Sequence, residues 1–366
     1  MKSLLDGCSR LMRGVKSMKE KVIVFGLGNN FLANQPRLEQ IYDIVAVTDN
    51  NPNVRLMQDR YNVIEPEQIN NFQFDYVIIT VNDKTVALQI QQQVCSIGVD
   101  KYKIRIMMLE RIKEKLPLKG KRVLEIGCGA GALLKLIADY GDVEHIVGID
   151  PGLSSLHDMR ECSGENWEIK TGDALALTFE DNTFDAAFSI DTFEHISDVS
   201  KALAEIKRVL KPRGVFYTTF GSIWTSAVGH HWSRPTESGC YWNVDYMKLI
   251  PPWGHLYMNE SQMRSHIAGQ GCSSDLADEI ISAVFNSDDI NRHSRSKLAS
   301  AILNCGMIVR NYSEEVVFNR FAYCIPPIKE SELTADIISK VSAAGYNFED
   351  LGVHFMTVCL EKYVQI

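Results

Sequence analysis

"RVLEIGCGAGALL", Arg122 to Leu134, runs from an apolar strand through Gly127, Gly129 and Gly131 into an apolar helix. Glycines at this spacing let the backbone turn tightly and approach a ligand without a Cβ in the way, while the amides that open the helix face that ligand. By itself the pattern serves equally well as a structural turn. Its companions narrow the choice. Asp150 ends the next strand, nineteen residues after Gly131, where a carboxylate can accept both hydroxyls of a ribose. Asp173, in "TGDA" after the third strand, can accept from an exocyclic amine of adenine. Glu125 precedes the turn, a position that dinucleotide sites leave apolar while they place the pyrophosphate on the helix N-terminus, and an acid there suits a positively charged ligand better. The set predicts a cationic nucleoside as ligand.

Outward from this turn, strands recur at "HIVGID" (Ile146 is its second residue), "WEIKTGD", "FDAAFSI" and "GVFYTTF", and the helix "VSKALAEIKRVL" sets Leu203, Ile206 and Leu210 on one face. Ahead of it, from Lys21, a similar alternation runs through "KVIVFGL", "IVAVTD", "DYVIITV", a helical "KTVALQIQQQVCSIG" and "KIRIMM". Alternation of this kind predicts parallel, doubly wound sheets. The expected fold class is α/β with two Rossmann-like sheets. The expected domains are residues 1–115 and 116–366, joined by the basic, solvated linker "RIKEKLPLKGKR", with an aromatic-rich insert over 222–293. "KLASAILNCG", "MIVRNYSEEVV" and "VHFMTVCLEKY" supply a last helix and two last strands.

The motifs "VLEIGCGAG", "GIDP", "TGDALAL", "FDAAFSIDTFEHISD" and "EIKRVLKPRGVFYTTF", in this order, resemble the class I S-adenosylmethionine-dependent methyltransferases with a type 11 (UbiG-like) core. The resemblance covers about residues 118 to 220 and the terminal strands. It implies a seven-stranded sheet and S-adenosylmethionine as cofactor. It further implies that Gly127, Gly129 and Gly131 shape the methionine-side turn, Asp150 holds the ribose, and Asp173 with Ala174 flanks the adenine. Ser189 and Asp191 would face the methionine moiety and the acceptor, Asp191 having the alternative of a helix cap.

In the first glycine turn, "VFGLGNNF", Gly26 and Gly28 are present but Phe31 stands where the dinucleotide fingerprint has its third glycine. Asp49 lies twenty-one residues after Gly28, where a ribose could be held. The half is similar to the small Rossmann-like domains at the front of sugar-modifying enzymes of bacterial surface-polysaccharide pathways. Either it binds a nucleotide or nucleotide sugar, or it is a structural, docking or oligomerising surface. A homo-oligomer is open on either reading.

Four of the five tryptophans, Trp224, Trp232, Trp242 and Trp253, fall between Ser222 and Met258, with Tyr241, Tyr246, Tyr257, His230, His231 and His255. This stretch follows the fifth strand, at the edge where open α/β sheets bind ligands. It reads as an acceptor pocket for a sugar or an aromatic ring, or as a small core of its own. A hydroxyl acceptor is a poor neutral nucleophile, so a base would help. His195, in "DTFEHISD", and His230 or His231 are the candidates, His195 having the alternative of a structural hydrogen bond in a helix. Asp191, Glu194 and these histidines do not make a recognised metal spacing, and no metal is expected.

The charge of −8 supplies no basic footprint for nucleic acid, so the expected partner is a small-molecule or glycan acceptor. No apolar run reaches the length of a membrane span, the first twenty residues read as an amphipathic helix and not a signal, and nine scattered cysteines without a CxxC pair fit reduced thiols in the cytoplasm. The leading expectation is O-methylation of a sugar, nucleotide sugar or glycan in polysaccharide biosynthesis. Its alternatives are methylation of a phenolic or amine metabolite, a non-catalytic nucleotide-binding scaffold, and a nicotinamide dehydrogenase built on the first turn.

Overall fold

The computed structural model describes residues 19–51, 59–154, 161–232, 248–316, 331 and 333–363. The expected N-terminal amphipathic helix, Tyr241, Trp242 and Tyr246 lie outside these residues. The chain divides into two compact units, 1–108 and 109–366.

The first unit holds a four-stranded parallel sheet of order β2-β1-β3-β4, built from β1 (Lys21–Phe25), β2 (Asp43–Thr48), β3 (Tyr76–Ile79) and β4 (Ile104–Ile106). Its central strand is fully buried from Val22 to Phe25, as a parallel strand covered on both faces must be. Helices α1 (Asn29–Ile41) and α2 (Lys84–Ser96) follow β1 and β3, the second capped by Asp83, whose side chain accepts the Val86 amide. Phe31 points into the core with Val22, Val24 and Leu38, its ring edge-on to Tyr61 at 5.9 Å. A phenyl ring thus fills the space that a third glycine would have closed between helix and strand.

A short helix, α3 (Met107–Lys113), leads into the second unit. Its sheet is mixed, with strands β5 (Arg122–Ile126), β6 (His145–Asp150), β7 (Cys162–Ser163), β8 (Trp167–Thr171), β9 (Phe184–Ile190), β10 (Leu210–Phe220), β11 (Ile308–Val316) and β12 (Val353–Glu361) in the order β11-β12-β10-β9-β5-β6-β8-β7. The five strands from β10 to β8 are parallel, and β12 runs antiparallel between β10 and β11. Among the described residues the expectation of seven strands is corrected to eight. Cys162 and Ser163 pair back on Ile169 and Glu168 as a two-residue edge, closed by the Gly164 amide on the Trp167 carbonyl at 2.8 Å. A pairing this short has no alternation by which sequence could announce it.

Helices α4 (Ala132–Tyr140) and α5 (Val199–Val209) follow β5 and β9. Asp198 caps α5 by accepting the Lys201 amide at 3.0 Å, and Leu203, Ile206 and Leu210 are wholly buried in the main core with Phe184, Phe193 and Phe216. After β10 come α6 (Gly254–Tyr257), α7 (Glu260–Gly269), α8 (Ser274–Ile281), one π-helical turn (Ser282–Asn286) and α9 (Arg295–Leu303), and α10 (Ala335–Ala343) precedes β12.

This stretch carries cores of its own. Trp224 and Trp253 pack with Leu256, Val341 and Leu351, while Trp232 packs with Ile250, Met263 and Ile280. Each indole N–H has a partner: Trp224 donates to the Tyr346 hydroxyl at 2.9 Å, Trp232 to Glu279 at 3.0 Å, and Trp253 to the Leu351 carbonyl at 3.1 Å. A buried indole is tolerated where its one donor is satisfied, and here all three are. The three described tryptophans of the segment therefore serve as core, and of the two readings open from sequence they take the structural one.

Candidate active site

Four neighbouring parallel strands, β9, β5, β6 and β8, end at one edge of the sheet, and the chain crosses over on opposite sides of β5. That arrangement opens a crevice at the carboxyl ends of the strands. The glycine loop leaves β5 there. The Gly127 and Cys128 amides donate to the Ile149 carbonyl at 2.9 and 3.1 Å, and the Gly131 amide returns to the Cys128 carbonyl at 2.9 Å. All three loop glycines have positive φ, 75°, 52° and 75°. A Cβ on Gly127 would collide with the Thr192 side chain and one on Gly131 with Ile169, whereas one on Gly129 would meet nothing within 4 Å. Packing thus fixes the two outer glycines, and the middle one presents bare backbone to open space.

Asp150 stands at this open face. Its Oδ2 accepts the Gly129 amide at 2.9 Å and its Oδ1 the Gly152 amide at 2.8 Å. Each carboxylate oxygen keeps accepting capacity beyond these bonds, which a pair of vicinal hydroxyls could use. Glu125 is buried on β5, opposite Gly148 and Phe188. The Cys128 thiol is pushed far above its ordinary range, first by burial and then by the charges of Glu125 and Asp150. The same two acids make the loop a favourable place for a positive charge.

Asp173 closes a turn after β8 by accepting the Leu175 amide at 2.8 Å and is itself exposed, while Ala174 is buried in the main core. Ser189 is wholly buried, and its hydroxyl donates to the Ile126 carbonyl at 3.0 Å, so it ties β9 to the start of the glycine loop. Asp191 is exposed, with left-handed φ of 53°, and its amide donates to the Thr219 carbonyl at 2.9 Å. It caps no helix, that task falling to Asp198. Through Thr192, its stretch lies directly against Gly127.

His195 sits in a turn and not in a helix, with its ring perpendicular to that of His231 at a centroid distance of 5.5 Å. Its Nδ1 lies 2.6 Å from the Asp289 carbonyl. A carbonyl only accepts, so Nδ1 carries the proton and Nε2 has the lone pair in the neutral ring. By the same reasoning His231 donates Nε2–H to the Ser222 carbonyl at 2.6 Å and keeps a lone pair on Nδ1. Burial chiefly, with His195 nearby, lowers the His231 pKa to about 4, so this ring is neutral at pH 7.

His230 turns the other way. It is buried, accepts the Trp232 amide on Nδ1 at 3.1 Å, and faces His255 at 5.3 Å. His255 donates to the Trp224 carbonyl at 2.7 Å. The structure therefore brings His195 and His231 together and places His230 in a core. Sequence reasoning passed over Thr192, Asp289, Asn291 and His354. His354 lies between the Ser222 and Ser226 hydroxyls, 3.2 Å from each, and nothing in the strand "VHFMTVCLE" sets it apart from its apolar neighbours. Among the described residues no group of three or more His, Cys, Asp or Glu could hold a metal ion. Among them, too, no helix is long and apolar enough to cross a membrane.

Residues 124–218 match the methyltransferase domain family, and residues 18–105 match the family described as C2185-like, N-terminal. The ubiquinone biosynthesis O-methyltransferase of Paraburkholderia phymatum is 34% identical over 162 residues, covering 41% of this chain and 67% of that protein. The sterol 4-C-methyltransferase strm-1 of Caenorhabditis elegans is 36% identical over 109 residues, 29% of this chain and 33% of that one. A solved S-adenosylmethionine dependent methyltransferase from Mesorhizobium loti is 14% identical, with 69% of this chain and 96% of that chain covered at a TM-score of 0.38. The chain belongs to the S-adenosylmethionine-dependent methyltransferases. It spans between about a third and two thirds of the length of the first curated relatives it matches.

Proposed function

We propose that this chain transfers the methyl group of S-adenosylmethionine to a hydroxyl of a sugar, nucleotide sugar or glycan. The observation that carries the O-directed reading is the His195 ring, whose Nδ1–H is occupied by the Asp289 carbonyl so that Nε2 is left to take a proton. In this reading Gly127, Gly129 and Gly131 form the cradle, Asp150 holds the ribose, and Asp173 and Ala174 border the adenine. Glu125 balances the sulfonium charge, and Asp191 and Thr192 line the methionine side. Ser189 acts from behind, by fixing the end of β5.

Transfer from a sulfonium is an in-line displacement, so the chain's work is alignment and exclusion of water. His195 accepts the hydroxyl proton as the oxygen attacks, and the neutral His231 accepts a hydrogen bond from the acceptor. His230, buried against His255, supports the core and not the chemistry. The first unit is read as a Rossmann-like accessory domain of the kind found in surface-polysaccharide enzymes, in the cytoplasm.

A second reading, a phenolic acceptor, is favoured by the ubiquinone biosynthesis O-methyltransferases among the relatives. Incubation with S-adenosylmethionine and either a panel of nucleotide sugars or a panel of phenols, followed by mass spectrometry, separates the two by which panel gains a methyl group. Calorimetric titration with S-adenosylmethionine and S-adenosylhomocysteine tests the common core, and absence of binding by both would refute it.

A further inference from the structure

We infer that Asn291 is the residue that aims the His195 ring, acting as a positioning residue from the far side of the segment after β10. The inference rests on the reading of His195 as the base, and it adds how that base is held.

The turn Phe193–Ser197, which carries His195, has no helix or strand of its own to fix it. Phe193 and Ile196 are packed in the main core and Glu194 accepts the Gly221 amide at 3.1 Å, while the backbone carbonyls of the turn are held by one short segment, Asp289–His293. Asn291 donates both protons of its side-chain amide, to the Phe193 carbonyl at 2.8 Å and to the Ile196 carbonyl at 2.9 Å. Its backbone amide donates to the Glu194 carbonyl at 2.9 Å, and its Oδ1 accepts the His293 amide at 3.0 Å. The carbonyls before and after His195 are thus gripped by one side chain. The same segment supplies the Asp289 carbonyl that fixes the ring, and His293 reaches the Ser197 carbonyl at 3.0 Å.

The segment is anchored in turn. Arg292 donates to the carbonyls of Val284, Phe285 and Ser287 at 3.3, 3.0 and 2.9 Å, over the π-helical turn, and its guanidinium lies 5.3 Å from the Trp224 ring. The chain thus connects a packed helix end to a histidine tautomer through one amide side chain. Only a side chain with two donors and one acceptor at this length completes the set. Aspartate has the same shape but sets carboxylate oxygen against the Phe193 and Ile196 carbonyls.

The test reads the ring directly and needs no turnover. In protein labelled with 15N-histidine, long-range proton–nitrogen spectra at pH 8 distinguish Nδ1–H from Nε2–H rings, and His195→Gln assigns the signals by their loss. The wild-type His195 ring is expected as Nδ1–H. Asn291→Asp and Asn291→Ala are expected to lose that form while keeping S-adenosylhomocysteine affinity within about twofold, since the glycine loop is untouched. Nδ1–H retained in both folded variants, or a wild-type ring that is Nε2–H from the start, overturns the assignment. So does a loss of cofactor binding in both variants well beyond twofold alongside the loss of the Nδ1–H form, which would make Asn291 a general support of the fold. Should His195 prove dispensable for methyl transfer while its tautomer follows Asn291, the clamp stands and the reading of His195 as base falls.

Discussion

Asp150 and Gly129, twenty-one residues apart, are joined by a 2.9 Å hydrogen bond from the glycine amide to the carboxylate. The bond sets the end of β6 against the open crest of the glycine loop, and the first unit repeats the device with Asp49 and the Leu27 amide at 2.6 Å. In the second unit the carboxylate pins the loop, and on the proposed function it also receives the cofactor.

Replacement of Asp150 by Ala is therefore expected to weaken S-adenosylmethionine binding by about 10²-fold or more, from the loss of hydrogen bonds to a charged group at about 1.5–3 kcal/mol each. Titration calorimetry checks this. Wild-type affinity in the variant would remove Asp150 from the cofactor site.

Gly129 and Gly131 should respond differently to the same change. Both Ala variants carry the left-handed backbone cost of about 1–2 kcal/mol. Gly131→Ala adds the collision with Ile169, for a further 1–3 kcal/mol or so. Thermal melts should show Gly131→Ala as clearly the less stable, while Gly129→Ala folds and loses cofactor affinity. Equal melts would mean that Ile169 yields freely.

His195→Ala is expected to slow methyl transfer by about 10²–10⁴-fold, with cofactor affinity preserved. Once an acceptor is found, single-turnover rates decide the matter, and an unchanged rate excludes the ring from proton transfer.

The buried histidines tie stability to pH. Burial lowers the pKa of His231 and His255 to about 4 and of His354 to about 3, and holds His230 well below its ordinary value of 6.5. These rings are neutral in the folded chain while the unfolded chain protonates them below about 6.5, so stability is full above that pH and falls as the pH drops toward 4. Each ring contributes a slope on the order of 1 kcal/mol per pH unit. Denaturant titrations at pH 7, 6 and 5 measure it, and His354→Gln should flatten the slope. A slope unchanged in that variant would mean that the ring does not titrate on unfolding.

The parts of this site that could be read from sequence are those that lie on one short stretch. Gly127 to Gly131, Glu125 and Asp150 are set by a strand, a turn and the next strand, and local spacing carries their geometry. The pairing of His195 with His231 spans thirty-six residues and depends on the left-handed backbone at His231 and a bond to Ser222, which no spacing rule describes. Asp289 contributes only a carbonyl, which every residue has. The aromatic run left two readings open for a physical reason: an indole suits a ligand wall and a core equally, and only the partner of its N–H tells which. Phe31 is the reverse case, since its departure from the glycine fingerprint marked a ring that the first unit buries in its core.

All five tryptophans lie after residue 108, so the first unit emits no tryptophan fluorescence. Three of them are shielded from water and held by a fixed N–H partner, in the cores that follow β10. Emission on unfolding therefore reports the second unit alone, while circular dichroism sums both. A separation between the two curves would count the cooperative units of this chain without any label or truncation.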